Sequence, residues 1–137
     1  MSSSLSSGLK ILVVDDDVRC LRSLEDFLER DGHFIETATT GQEAVEITRR
    51  YIERERERER FQFQLSILDF HVPDMSGLET FERLSTLLPG LGAIFISGDL
   101  SDTLESSILA AGGFALFRKP LDLGRMRQAI EAYRGRL

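Results

Sequence analysis

Cysteine is almost missing from this chain. Cys20 stands alone, so no internal disulfide can form, and that usage fits a reducing cytosol. It falls among apolar positions at helical spacing and reads as a buried, inert thiol rather than a redox centre. Histidine is scarce as well: His33 and His71 have no cysteine or histidine at ligand spacing, which argues against zinc. No apolar run approaches the ~20 residues of a membrane span. The first eight residues, Met1-Ser2-Ser3-Ser4-Leu5-Ser6-Ser7-Gly8, lack the basic start and apolar middle of a signal peptide and read as a disordered tail. Surplus positive charge is absent too. A net charge of −6 and a pI near 5.0 exclude nucleic-acid binding through general surface charge.

What is present is one domain's worth of chain, 137 residues of which 42% are hydrophobic, enough to bury a real core. Strand-like and helix-like patterns alternate five times. Lys10 to Val14 is an apolar strand; Val18, Leu21, Leu24 and Leu28 then repeat at helical spacing behind Asp17, a fitting N-cap. His33 to Ala38 forms a second strand after Asp31-Gly32. Thr40-Gly41-Gln42-Glu43 opens a second helix as a capping box, with Ala44, Ile47 and Tyr51 on its apolar side. Leu65 to Asp69 is the third strand, followed by a loop with Pro73 and Gly77 and a helix carrying Leu78, Phe81, Leu84 and Leu88 that Pro89-Gly90 stops. Gly92 to Ser97 is the fourth strand, and its helix carries Leu104, Ile108 and Ala111 before Gly112-Gly113. Phe114 to Arg118 is the fifth, ahead of a helix with Leu123, Met126, Ile130 and Tyr133. Five βα units predict an α/β sandwich of three layers, a parallel sheet with helices on both faces. The strictly alternating run Glu53 to Arg60 is neutral and rich in helix formers, and is expected to extend the second helix into solvent.

Three of the strands run into charge: Asp15-Asp16-Asp17 after the first, Asp69 after the third, Lys119-Pro120 after the fifth. In open α/β sheets functional groups collect outside the carboxyl ends of the strands. Carboxylates and one ammonium gathered there would make a divalent-cation site with a charged partner, an arrangement suited to phosphoryl chemistry.

Four segments together carry a family resemblance: Val13-Val14-Asp15-Asp16; Ile67-Leu68-Asp69-Phe70-His71-Val72-Pro73-Asp74-Met75-Ser76-Gly77-Leu78-Glu79; Ile96-Ser97-Gly98; and Lys119-Pro120. From about Lys10 to Arg134 the chain resembles the receiver domains of two-component response regulators. The resemblance implies a flavodoxin-like, doubly wound (βα)5 fold over residues 9–137 with strand order 2-1-3-4-5, and a Mg²⁺ cofactor. It implies that Asp69 accepts a phosphoryl group from phosphohistidine, that Asp15 and Asp16 hold the metal with Asp69 and the His71 backbone carbonyl, and that Lys119 and Ser97 bind the phosphoryl oxygens. Pro120, in a bond this family often has in cis, would aim Lys119. The implied partners are a histidine kinase or histidine phosphotransfer protein, with a downstream output domain or protein and a homodimer also open; neither membrane nor direct nucleic-acid contact is expected. The implied location is the cytoplasm.

The chain departs from the family three residues before the lysine, where an aromatic switch residue is usual and Leu116 stands here. Strand alternation puts Phe117 on the face of Lys119 and Leu116 on the opposite one, so phosphorylation is expected to change the surface less than in relatives with the aromatic. Two other classes fit part of the pattern. An aspartate-nucleophile phosphatase of the haloacid dehalogenase type would need an acid where His71 stands, and a non-phosphorylated pseudo-receiver would not need the intact charged set. No external turnover is expected. The sequence after the last helix, Arg134-Gly135-Arg136-Leu137, carries no output segment, which leaves a stand-alone receiver, the start of a longer regulator or a piece of a hybrid kinase.

Overall fold

The computed structural model describes residues 8–58, 62–98 and 102–137. Its elements are β1 (Lys10–Val14), α1 (Val18–Arg30), β2 (Phe34–Ala38), α2 (Gly41–Arg58), β3 (Leu65–Asp69), β4 (His71–Val72), β5 (Met75–Ser76), α3 (Gly77–Leu87), β6 (Gly92–Ser97), α4 (Asp102–Ala110), β7 (Ala115–Arg118) and α5 (Leu123–Arg134). Five strands form one parallel sheet in the order β2-β1-β3-β6-β7, which is the expected 2-1-3-4-5 once the short β4–β5 hairpin is set aside. That antiparallel hairpin occupies what the sequence suggested was a plain loop.

Period-two alternation divides the core into two layers. Ile11, Val13, Leu65, Ile67, Ile94 and Ile96 face α1 and α5, meeting Leu24, Leu28, Met126 and Ile130. Leu12, Val14, Leu68, Ala93 and Phe95 face the other way, onto Ala44 and Val45 of α2, Leu84 of α3 and Ile108 of α4. With both faces covered, β1 and β3 are buried throughout, which is why they read as largely apolar runs, broken only by Lys10, Ser66 and the terminal Asp69. Phe117 packs in the first layer and Leu116 in the second, as alternation required.

Local chemistry explains where the helices start and stop. The Asp17 carboxylate accepts from the Arg19 and Cys20 amides and caps α1. Gly32 and Gly112 take φ of 92° and 95°, the left-handed turns that release the chain from α1 and α4. At α2 the Thr40 hydroxyl accepts from the Glu43 amide, but the Glu43 carboxylate reaches back to the Thr39 amide rather than to Thr40, a capping box stretched by one residue. The helix continues to Arg58, so the charged run does prolong it; Glu59 and Arg60 lie outside the described residues, as do residues 1–7 of the expected tail. Among the described residues no helix is long and apolar enough to cross a membrane.

Candidate functional site

The alternation that sorts the core also builds the site. Continuing the rows Ile11-Val13 and Leu65-Ile67 by one step puts Asp15 and Asp69 on the same face of the sheet, at the carboxyl ends of two adjacent strands. Asp15 stays in the ladder, its amide donating to the Ala38 carbonyl at 3.0 Å. Lys119 arrives from the edge strand after β7, its amide bonded to the Ser97 carbonyl at 2.8 Å and its bond to Pro120 in cis. Its ammonium Nζ lies 2.8 Å from Asp69 Oδ2 and donates to Asp15 Oδ1 at 3.2 Å. Residues 104 and 50 positions apart in sequence thus meet at one cation.

Asp15 is fully buried and Asp69 nearly so, whereas Asp16 is exposed at the rim. Oxygens of all three lie within 4.8 Å of one another. One lone pair set is left over. Asp15 Oδ1 accepts from the Asp17 amide at 2.9 Å, while Oδ2, 2.9 Å from the Lys119 nitrogen but poorly aligned with it, makes no hydrogen bond. A buried carboxylate oxygen without a donor is costly, and a hard cation would satisfy it. Carboxylate oxygens are the donors that Mg²⁺ prefers, so the residues fit that ion.

The electrostatics follow from the crowding. Burial pushes the Asp15 carboxyl above its ordinary value, against the Asp17 amide and Lys119, which pull it down. Burial alone would depress the Lys119 ammonium, but its hydrogen bonds to Asp69 and Asp15 outweigh that and hold its pKa well above the ordinary value. The Cys20 thiol, half-buried beside Asp15, is pushed up to about 12 by burial and by that carboxylate, so it stays protonated and inert as its sequence context suggested.

Backbone contacts fix the approach to Asp69. The Phe70 amide donates to the Ile96 carbonyl at 2.8 Å and the His71 amide to Asp69 Oδ1 at 2.9 Å, leaving Oδ2 to the lysine. The His71 ring is turned outward against Phe70. Gly77 closes the loop: its amide donates to the Phe70 carbonyl at 2.7 Å, and a Cβ there would lie 2.7 Å from the Asp69 carbonyl oxygen. Ser97 is fully buried at the end of β6, in register with Arg118 and one step beyond the partner of Asp69. Alternation sets it on the face of Phe95 and Leu116, opposite to Asp15, Asp69 and Lys119. A cleft of about 550 Å³ opens beside the lysine, between Cys20 and Leu24 of α1 and Pro120, Leu121 and Leu123.

Asp15, Asp16, Asp69 and Lys119 therefore converge as the sequence led us to expect, with His71 bonded to the cluster and Ser97 at the neighbouring strand end. Sequence reasoning passed over Asp74. Its carboxylate leaves the hairpin and accepts from the Gly41 and Gln42 amides, both at 2.9 Å. No local pattern marks a contact spanning more than 30 positions.

The sequence matches the family described as response regulator receiver domain over residues 11–131. It is 29% identical over 126 residues to sporulation initiation phosphotransferase F of Bacillus subtilis, covering 90% of this chain and 92% of that one. It is 30% identical over 125 residues to the transcriptional regulatory protein CrdR of Helicobacter pylori, covering 90% of this chain but only 54% of the relative, so it spans about half that protein's length. Among solved structures it superposes on a CheY-like receiver domain protein of Methanospirillum hungatei with a TM-score of 0.80 and 29% identity, covering 94% of this chain and 95% of the other.

Proposed function

From the chain's membership of the response regulator receiver family, we propose that Asp69 is its phosphoacceptor and that Asp15, Asp16, Asp69 and the His71 carbonyl hold its Mg²⁺. A receiver domain is a phosphoacceptor that phosphorylates and dephosphorylates itself and turns over no external substrate; its partner is a histidine kinase or phosphotransfer protein. The observation that carries the residue assignment is the meeting of Asp15, Asp69 and Lys119, with one carboxylate oxygen left unsatisfied.

The chemistry follows from charge. A carboxylate attacking a phosphoryl group faces anionic repulsion, which positive charge at the site must first reduce. Lys119 supplies part of that charge, and Mg²⁺ held by Asp15, Asp16, Asp69 and the His71 carbonyl would supply the rest. An oxygen of Asp69 forms the new P–O bond as the P–N bond to the donor histidine breaks, and the imidazole nitrogen keeps the electron pair. The His71 amide keeps Oδ1 in place while Lys119 moves from Asp69 to the phosphoryl oxygens. Ser97 then donates its hydroxyl to the phosphoryl group. Because Ser97 shares a face with Leu116, its inward pull reaches β7 and α4, which with α5 form the surface that an output domain, a separate protein or a second copy would read.

Acetyl phosphate with Mg²⁺, followed by a phosphate-affinity gel, tests the assignment. Wild type is expected to shift and Asp69→Asn to remain at background; a shift that survives in Asp69→Asn would sink it. Structures with and without beryllofluoride extend the same test to the surface. Leu116 is expected to move little, and an aromatic swinging between buried and exposed positions would contradict that.

A further inference from the structure

We infer that Asp74 is a positioning residue for this site, clamping the tip of the β4–β5 hairpin to the first turn of α2. The inference rests on the roles proposed above for Asp69 and His71, and it concerns what keeps them in place.

The hairpin carries His71 and is very short. His71 pairs with Ser76 and Val72 with Met75, so Pro73 and Asp74 are its two-residue turn. An isolated two-stranded ribbon is marginal in water even at greater length. Its shape must therefore come from what it is fastened to. At its base the fastening is the Gly77 amide on the Phe70 carbonyl, together with the close backbone approach that only glycine permits. At its tip the fastening is Asp74. Oδ1 accepts from Gly41 and Oδ2 from Gln42, the first two amides of α2, which have no partner within their own helix.

Three observations mark this contact as built. The carboxylate is bidentate and its negative charge faces the positive end of a helix, so both bonds are charge-assisted. Slight burial works against ionisation of Asp74, but the Gln42 and Gly41 amides outweigh it and hold the carboxyl below its ordinary value. Next to it Met75 lies so close to Gly41 that a Cβ there would come within 2.5 Å of the Met75 side chain, so the hairpin also docks by shape. The first turn of α2 is then fully used: Gly41 and Gln42 by Asp74, Glu43 by the Thr40 hydroxyl and Ala44 by the Thr40 carbonyl. Since α2 follows directly from β2 at the same end of the sheet, the clamp ties the hairpin to the rigid body through an element that bears none of the charged site residues.

Outer groups that orient metal ligands typically change metal affinity by about 10-fold to 100-fold when removed. Calorimetric Mg²⁺ titration of the unphosphorylated protein is the test, run on wild type, Asp74→Ala and Asp74→Asn, with hydrogen exchange read at the His71 and Val72 amides. Asp74→Ala is expected to weaken Mg²⁺ binding about 10-fold and to speed exchange at both amides. Asp74→Asn keeps one acceptor oxygen and should fall between. An unchanged Kd and unchanged exchange at His71 in Asp74→Ala, even beside a lower melting temperature, would reduce Asp74 to a cap for α2 and overturn the clamp. A wild type that binds no Mg²⁺ would instead overturn the site assignment, and the clamp's role along with it.

Discussion

The two ends of the sheet both bury polar side chains, and they do so in opposite ways. At the amino end a buried Lys10 ammonium lies 3.6 Å from the centroid of the Tyr51 ring and Gln62 Oε1 has no hydrogen-bond partner, but three neutral groups each meet a backbone partner. His33 Nδ1 accepts from the Leu9 amide at 2.9 Å, the Ser66 hydroxyl donates to the Gly92 carbonyl at 2.8 Å, and the Tyr133 hydroxyl donates to the Gln64 carbonyl at 2.7 Å. At the carboxyl end two buried carboxylates share one ammonium, and an oxygen is left without a hydrogen bond. The first arrangement serves stability, since satisfied hydrogen bonds add modestly to it. The second sacrifices stability to hold charge where a cation and a phosphoryl group can use it. Burial is common to both ends; two like charges held on one cation set the carboxyl end apart.

The sharpest way to break this contrast is to remove the shared cation. Lys119→Ala leaves Asp15 and Asp69 facing each other with no counter-charge, and should destabilise the fold by about 2 kcal/mol in urea melts at neutral pH, less than a fully enclosed pair because the lysine is partly solvated. A loss no larger than that of an ordinary surface substitution would mean the two acids are not in conflict. Removing one acid should act the other way. Asp15→Asn keeps an oxygen for the Asp17 amide and drops a buried charge, so at neutral pH it should stabilise the metal-free protein by about 1 kcal/mol. Added Mg²⁺ should raise the melting temperature of the wild type and leave that of the variant nearly unchanged.

Acid should separate the ends more subtly. The Asp15 pKa is raised in the folded state, so the folded chain binds its proton more readily than the unfolded one; the stability this gives is present below the ordinary value of 3.8 and lost as pH rises through the folded value. His33 has the reverse sign. Burial, then Arg134, lower its folded pKa against the opposing pull of Glu131 and Asp31, so its share is present above the ordinary 6.5 and lost as pH falls below it. His33→Asn offers an oxygen to the Leu9 amide without titrating. It should flatten the decline in melting temperature between pH 7 and pH 5, and an equal decline in the variant would place the acid sensitivity elsewhere.

Most of the fold could be read from periodicity, because burial on both faces makes β1, β3 and β6 largely apolar, and one apolar stripe marks each helix. The converging charges were legible for a related reason: they sit at the carboxyl ends of strands whose direction the repeated βα unit dictates. What escaped was non-local and polar. His33 gave no sign of accepting from Leu9, nor Asp74 of capping α2, nor Glu43 of bonding to Thr39 in place of Thr40, since a hydrogen bond between separate elements leaves no period in the sequence. The β4–β5 hairpin was missed because strands of two residues are too short to alternate.

Gly77 opens α3, where almost any other residue would make a better helix, and alanine by about 1 kcal/mol. Yet a methyl group there would strike the carbonyl of Asp69. The first position of that helix is thus closed to thermostabilising redesign: the residue that propensity would choose is one the strand ending in Asp69 has no room to admit.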